Sequence, residues 1–253
     1  MKRQEKMLSL PFMFLFFLIT FLFPPLELKA QDISSFKKNI FLARQGDYAV
    51  FSKGSQILFL LVKSTSNNAV WLEITEFSYL SPQERALVKD TPWKTLIHTL
   101  KADKKIFLIH LSHQDTAVFS FNPKTQAWIP SKQNGTTPFL STLLHLSLKN
   151  APKHLIKTQG KGEDQIPWSP KVSLDGMHPI KVPTQAKHAL WPPDASVLSG
   201  KNILMYFTVS DISVFPIWIS IDTPKGAIIL RAIDVGHEAT SPLMCPLPII
   251  TQK

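Results

Sequence analysis

Between Gly46 and Phe77 three apolar runs follow one another so closely that a sheet is the only regular structure they suit. They are Tyr48 to Phe51, Ile57 to Lys63 and Val70 to Phe77. Lys53-Gly54-Ser55 separates the first two, and Ser64 to Asn68 separates the second and third. Glycine, serine and asparagine accept turn dihedrals that β-branched residues resist. In the third run Val70, Leu72 and Ile74 share one face, with Glu76 in line, while Trp71, Glu73, Thr75 and Phe77 share the other. That is the period of a half-buried strand. The middle run, Ile57-Leu58-Phe59-Leu60-Leu61-Val62, is apolar on both faces and too short to cross a membrane as a helix. It is expected as a central strand covered on both sides. The local plan is an antiparallel meander with helices packed over it.

The flanking chain supplies those helices and more strands. Gln31 to Arg44 starts with a short helix or loop, and Ile40 and Leu42 are placed to open the first strand. Ser81 as N-cap, Pro82 at the first helical position and Glu84 closing a capping box predict a helix from Pro82 to Lys89. Pro92 to Leu100 carries Trp93, Leu96, Ile97 and Leu100 on one helical face. Lys105 to Ser112, Ala117 to Phe121 and Ala127 to Ile129 form a second meander, turned at His113-Gln114-Asp115 and at Asn122 to Thr125. Thr137-Pro138 opens a helix reaching Leu148, with Phe139, Leu140, Leu143, Leu144 and Leu148 as its buried stripe.

Residues 149–201 break this regularity. They hold seven prolines and eight lysines, and no period of 2 or 3.6 lasts. The expectation is a long irregular proline-rich connection lying across the rest of the protein, as a surface wrap or a functional loop. Strand signals return at Asn202 to Val209, Val214 to Ile221 and Ala227 to Val235, with Thr223 to Gly226 as a hairpin turn. Pro216 marks an edge position or a bulge. Beyond Gly236, Pro242, Pro246 and Pro248 forbid a regular element and predict a tail. The predicted fold class is α+β, with antiparallel meanders dominating and a few short covering helices. The predicted organisation is a signal peptide at 1–30, an N-terminal α+β domain at 31–148, the proline- and lysine-rich segment at 149–201, a three-stranded meander at 202–236 and a tail at 237–253.

Residues 1–30 carry the export signature. Lys2, Arg3 and Lys6 precede an almost wholly apolar run from Met7 to Phe23, Pro24 and Pro25 break it, and Ala30 offers a small residue before a cut at Gln31. No cysteine lies near that cut, which removes the lipoprotein route. The expected destination is the periplasm or the exterior. The competing reading is an uncleaved anchor at residues 7–23, at the short end of a spanning helix.

Charge and motifs exclude several classes. The formal charge is +10, but only Arg3, Arg44, Arg85 and Arg231 among the 28 basic residues are arginine, and the lysines are scattered. Sequence-specific nucleic-acid contacts favour the planar arginine fork, so nucleic-acid binding is not expected. The sole cysteine, Cys245, rules out an intramolecular disulfide and has no histidine or basic cluster nearby to make it nucleophilic. There is no G-x-S-x-G elbow, no P-loop and no dinucleotide-binding glycine fingerprint, and no cofactor is implied.

The remaining candidates are few. His110 and His113, with Asp115, are the nearest approach to a metal set, although positions three apart on a strand face opposite sides. Asp234, His237 and Glu238 are close enough for acid–base chemistry and equally suit polar residues at a strand exit. Of six tryptophans, Trp71, Trp128 and Trp218 fall on strands and are expected in the core. Trp168 and Trp191 sit in the proline-rich segment, where each either pins that segment to the sheet or faces a ligand.

Gly46-Asp47-Tyr48, Phe215-Pro216-Ile217-Trp218-Ile219-Ser220 and Ala232-Ile233-Asp234-Val235-Gly236, together with the leader, resemble the uncharacterised secreted proteins of chlamydia-like intracellular bacteria. The resemblance implies a bacterial envelope or secreted protein and points to no catalytic residue. The plan of sheet and covering helices also resembles periplasmic lipoprotein carriers, as fold analogy only. The expected function is non-enzymatic binding of an apolar or peptide-like ligand, or of an envelope partner. The alternatives are an envelope hydrolase or metal-dependent enzyme using His110, His113 or His237, and a structural protein anchored through residues 7–23.

Overall fold

The three apolar runs become the middle of one long sheet. They form β1 (Tyr48–Lys53), β2 (Gln56–Thr65) and β3 (Ala69–Phe77), paired antiparallel in sequence order. The computed structural model describes residues 35–131, 136–160 and 165–250. Before β1 comes α1 (Phe36–Ile40), capped by Ser35, whose side chain accepts from the Lys38 N–H. After β3 come α2 (Pro82–Asp90) and α3 (Trp93–Leu96). The meander then continues through β4 (Lys104–Ser112), β5 (Thr116–Asn122) and β6 (Ala127–Pro130), and α4 (Thr136–His145) follows.

The rest of the chain returns to the free side of β1. Six short strands come first: β7 (Lys149–Asn150), β8 (Thr158–Gln159), β9 (Ile166–Pro167), β10 (Lys171–Leu174), β11 (Ile180–Lys181) and β12 (Thr184–Leu190). Then come β13 (Asn202–Thr208), β14 (Trp218–Ile221) and β15 (Ile228–Gly236). The sheet order is β6-β5-β4-β3-β2-β1-β15-β14-β13-β12-β7, so the first strand lies beside the last. β10 joins β15 in parallel, with Ser173 opposite Asp234 and Leu174 opposite Val235. Pro216 explains that insertion. Continued backwards, β14 would occupy this half of the β15 edge, but proline has no N–H to donate, and β14 begins only at Trp218. β10 takes the vacated edge.

Two apolar layers sandwich the central strands. On one face Phe36 and Ile40 of α1 and Leu140, Leu143 and Leu144 of α4 pack with Leu60, Leu72, Ile109, Met205 and Ile219. On the other, Trp93 and Leu96 of α3, with Ile97 and Leu100 beyond it, cover Tyr48, Val50, Phe59, Leu61 and Phe77. This double cover is what β2 required, being apolar on both sides.

Several expectations need correction. The segment 149–201 is not a featureless connection: it alternates loops with six short strands, and β12 pairs along its whole length with β13. Ile40 ends α1 rather than opening a strand. The capping box on α2 is present, but that helix fully buries none of its residues and meets the meander's core only through the partly buried Val88. β3 is buried on both faces, not one. Glu73 and Thr75 are at 1% and 0% exposure, and the chain after Gly236 reaches Glu73, to which Ser241 donates. The described tail lacks regular structure, as its prolines require, yet it is tied down at the buried Ala239 and at Ser241. The described residues lie in one compact unit, and the sheet runs across positions 148 and 201. The leader at 1–30, with its alternative anchor at 7–23, lies outside the described residues. Among the described residues no helix is long and apolar enough to cross a membrane.

Candidate functional site

Three short motifs far apart in sequence meet where β1 begins and where β10 and β15 end. Tyr48 stands opposite Gly236 and Val50 opposite Asp234, which places Gly46-Asp47-Tyr48 beside Asp234 to Glu238. The parallel β10 then delivers Asp175-Gly176 to the same spot, and the Asp175 N–H donates to the Val235 carbonyl at 2.9 Å. The fit is close. A Cβ on Gly236 would collide with the Asp175 carboxylate and the Tyr48 ring, so only glycine suits that position. Asp175 (φ +52°) and Glu238 (φ +60°) are non-glycine residues in the left-handed region. Such strain persists only where surrounding contacts impose it, and it concentrates at functional sites.

Asp234 is the electrostatic centre. It is 1% exposed; its Oδ2 accepts from the Tyr48 hydroxyl at 2.9 Å and its Oδ1 from the Gly176 N–H at 3.1 Å. Burial pushes its carboxyl up to about 6 against those two bonds, and the nearby Asp175 carboxylate adds to the rise. The Tyr48 phenol is also raised, by burial first and by Asp234 second. Asp175 Oδ1 gathers Lys94 Nζ at 3.3 Å and the His237 N–H at 3.2 Å, and stands 3.5 Å from the Tyr48 hydroxyl.

His237 turns the other way. Its Nδ1 lies 2.7 Å from Oδ1 of the buried Asp47, whose Oδ2 accepts the Arg44 N–H at 2.8 Å. A carboxylate at that position makes Nδ1 the donor and leaves Nε2 available. His237 and Asp47 line a cavity of about 380 Å³ together with Arg44, Thr208, Ser210 and Ser213. Asp234 borders a second cavity of about 410 Å³, whose wall includes Val88, Trp93, Met177, Pro179 and Ile233, with Lys89 and His178 also lining it.

The other candidates are dispersed. His110 lies on β4 with its ring 4.6 Å from Trp71, and burial lowers its pKa. His113 is in the following turn, stacked on Phe41 at 4.5 Å. The two rings therefore pack on different partners, and the described residues contain no group of three or more histidine, cysteine or acidic residues suited to a metal. Trp191 is 3% exposed, stacks on Phe139 at 5.5 Å and donates its Nε1–H to Asp194 at 2.7 Å. Trp168 sits edge-on to Tyr206 at 5.3 Å and to Trp218 at 4.8 Å. Cys245 is half-buried, with Sγ 3.5 Å from the Gln126 carbonyl.

Of the convergent cluster, sequence reasoning singled out Asp234, His237 and Glu238. It passed over Asp47, Tyr48, Lys94 and Asp175 as site residues. The one local signal for Asp175 was the Asp-Gly dipeptide, a turn signature that says nothing of what the turn approaches.

These features define the class: a β-rich α+β protein with one open, mostly antiparallel sheet, whose first and last strands and one inserted parallel strand build a buried acidic junction. The chain belongs to the CT021 protein family. The family profile matches residues 58–180. The 2.0 Å structure of the hypothetical protein CT021 from Chlamydia trachomatis is 37% identical, with a TM-score of 0.69 over 86% of this chain and 99% of that one. The relationship to an uncharacterised chlamydial family, read from the three motifs, is thereby shown. No curated protein matches the chain.

Proposed function

We propose that this chain is an exported, non-enzymatic binding protein of a bacterial envelope, and that the cavity beside Asp234 receives an apolar or peptide-like ligand. The observation that carries the reading is the composition of that cavity: about 410 Å³, an apolar wall from Val88, Trp93, Met177 and Ile233, and one buried carboxylate. Sites of this kind bind through the apolar wall and orient the ligand through a few polar groups. Asp234 supplies an acceptor and Lys89 a cation, the two functions needed for the ends of a peptide-like molecule. Export rests on the leader at residues 1–30.

Native mass spectrometry of the chain taken gently from an envelope fraction tests both parts. The expected result is a mass beginning at Gln31 with an additional apolar or peptide species. Met177 is 61% exposed, so Met177→Asp leaves the fold intact and should release that species. A bare chain that retains residues 1–30 overturns the proposal.

A second reading, an envelope hydrolase, is favoured by the Asp47–His237 pair, in which a buried carboxylate orients an imidazole toward a cavity lined by three hydroxyl side chains. Under it, His237→Ala abolishes turnover of ester or amide substrates and leaves ligand retention beside Asp234 unchanged. Absence of turnover in the wild-type chain removes this reading.

A further inference from the structure

Lys157 is placed unlike any other lysine described. Its ammonium lies over the faces of two tryptophans, 4.4 Å from the Trp218 ring centroid and 5.3 Å from that of Trp168. No carboxylate lies within ion-pair distance of it among the described residues. Its backbone is tied down on both sides: the Lys157 N–H donates to the Tyr206 hydroxyl at 2.8 Å, and its carbonyl accepts the Trp168 N–H at 2.9 Å. The position follows from the sheet. Tyr206 on β13 stands opposite Trp218 on β14, and Trp168 packs edge-on against both. The two indoles form a platform on which the cation rests, and Tyr206 braces Trp168 edge-on.

Lys157 also lines a cavity of about 280 Å³, separate from both cavities of the acidic junction. Leu155, Leu204, Ala227 and Ile229 give it an apolar wall, and Ser220, Asn202 and His188 give it hydrogen-bonding groups. Its one acid, Asp222, is exposed and accepts from Asn202 at 3.4 Å, while Asn202 Oδ1 lies 3.1 Å from His188 Nε2. The cavity thus pairs an apolar surface with a lysine whose charge has π-faces and, among the described residues, no carboxylate within ion-pair distance. Burial lowers the pKa of that ammonium. Approach of an anion relieves this cost, since a paired charge is less penalised by desolvation than a lone one.

We infer that this cavity is a binding site for a small amphipathic carboxylate, with the carboxylate on Lys157 and the acyl or aryl part against Leu204 and Ile229. About 280 Å³ falls just short of the roughly 300 Å³ at which drug-sized ligand cavities start, which restricts the ligand to a small one. Trp168 acquires a role that neither earlier alternative gave it: it pins its segment and also carries the cation that faces the ligand.

Titration calorimetry of the full chain with octanoate, octanamide and octylamine tests the inference. Octanoate should bind, and the amide and amine of equal chain length should bind at least about tenfold more weakly, the scale of one charge-assisted bond. Lys157→Met should weaken octanoate by a similar factor, Lys157→Arg should restore it, and circular dichroism and the thermal midpoint report whether each variant is folded. Ile229→Asp, at a side chain already 38% exposed, should weaken octanoate through the apolar wall without touching the platform. Equal binding of octanoate and octanamide, undiminished binding to folded Lys157→Met, or no octanoate binding to the wild-type chain each overturns it.

Discussion

Asp234 is closed in by Tyr48 and Gly176 while Asp175 stands nearby, and this sets a pH signature for the molecule. Its carboxyl is raised from 3.8 to about 6, so folding favours the protonated form. The stabilisation from this group is complete below about pH 4 and is lost as pH rises through about 6, a change of about 3 kcal/mol. Denaturant titrations from pH 3.5 to 7.5 on the wild type and Asp234→Asn isolate this contribution, because other titrations cancel in the difference. The stability difference between the two should shift in favour of the asparagine variant across that window, then level off. Parallel curves would show that Asp234 does not titrate as an enclosed group. None of this was legible locally: Asp234 stands in an apolar strand run, and its partners come from positions 48 and 176.

The β2–β3 pair was the most legible element, and its one irregularity carries a long-range bond. Val62 pairs with Leu72 and Ser64 with Trp71, so Lys63 is the extra residue of a bulge. The bulge aims Lys63 at Glu73, whose carboxylate lies 2.5 Å from Nζ and is 1% exposed. Ser241 from the tail completes the arrangement, donating to Glu73 and accepting from Lys63 at 2.8 Å. Removing one partner of such a pair strands a buried charge. Lys63→Met should cost about 3–5 kcal/mol by chemical denaturation, and adding Glu73→Leu should recover most of it. Failure of the second substitution to recover stability would mean that the pair is not the unit that matters. Periodicity alone made β3 a half-buried strand, because Glu73 reads as a solvent residue until the tail is laid over it. The same limit applies to α2. Ser81, Pro82 and Glu84 predicted that helix correctly from local capping chemistry, but capping does not specify which surface, if any, the helix buries.

The middle of the sheet depends on pairing between distant parts of the chain, since β1 pairs with β2 on one side and with β15 on the other. A chain ending at residue 201 lacks β13, β14 and β15 and would leave the apolar β1 as an open edge. An exposed, flat, apolar edge promotes association between chains. Such a truncation should elute as aggregates in size-exclusion chromatography where the full chain does not; a soluble folded monomer would show that the front half is self-sufficient. By itself the sequence determined what depends on neighbours a few residues apart: the meander strands, the turns at Gly54 and Gly226, the capping box, the Leu140, Leu143 and Leu144 part of the stripe on α4, which ends at His145 rather than Leu148, and the absence of known phosphate or nucleophile motifs. Strand period, turn dihedrals and caps are local physics. Only the tertiary structure decided that the first strand lies beside the last, that β10 enters in parallel where Pro216 stops β14, and that Asp47, Tyr48, Asp175, Asp234 and His237 form one junction. Those pairings join residues from about 60 to 190 positions apart, and nothing in a local window distinguishes the strand that will fill an open edge from any other apolar run. Burial has the same character: the carboxyl of Asp234 rises because other segments exclude water from it, and the arrangement of those segments is a property of the assembled sheet.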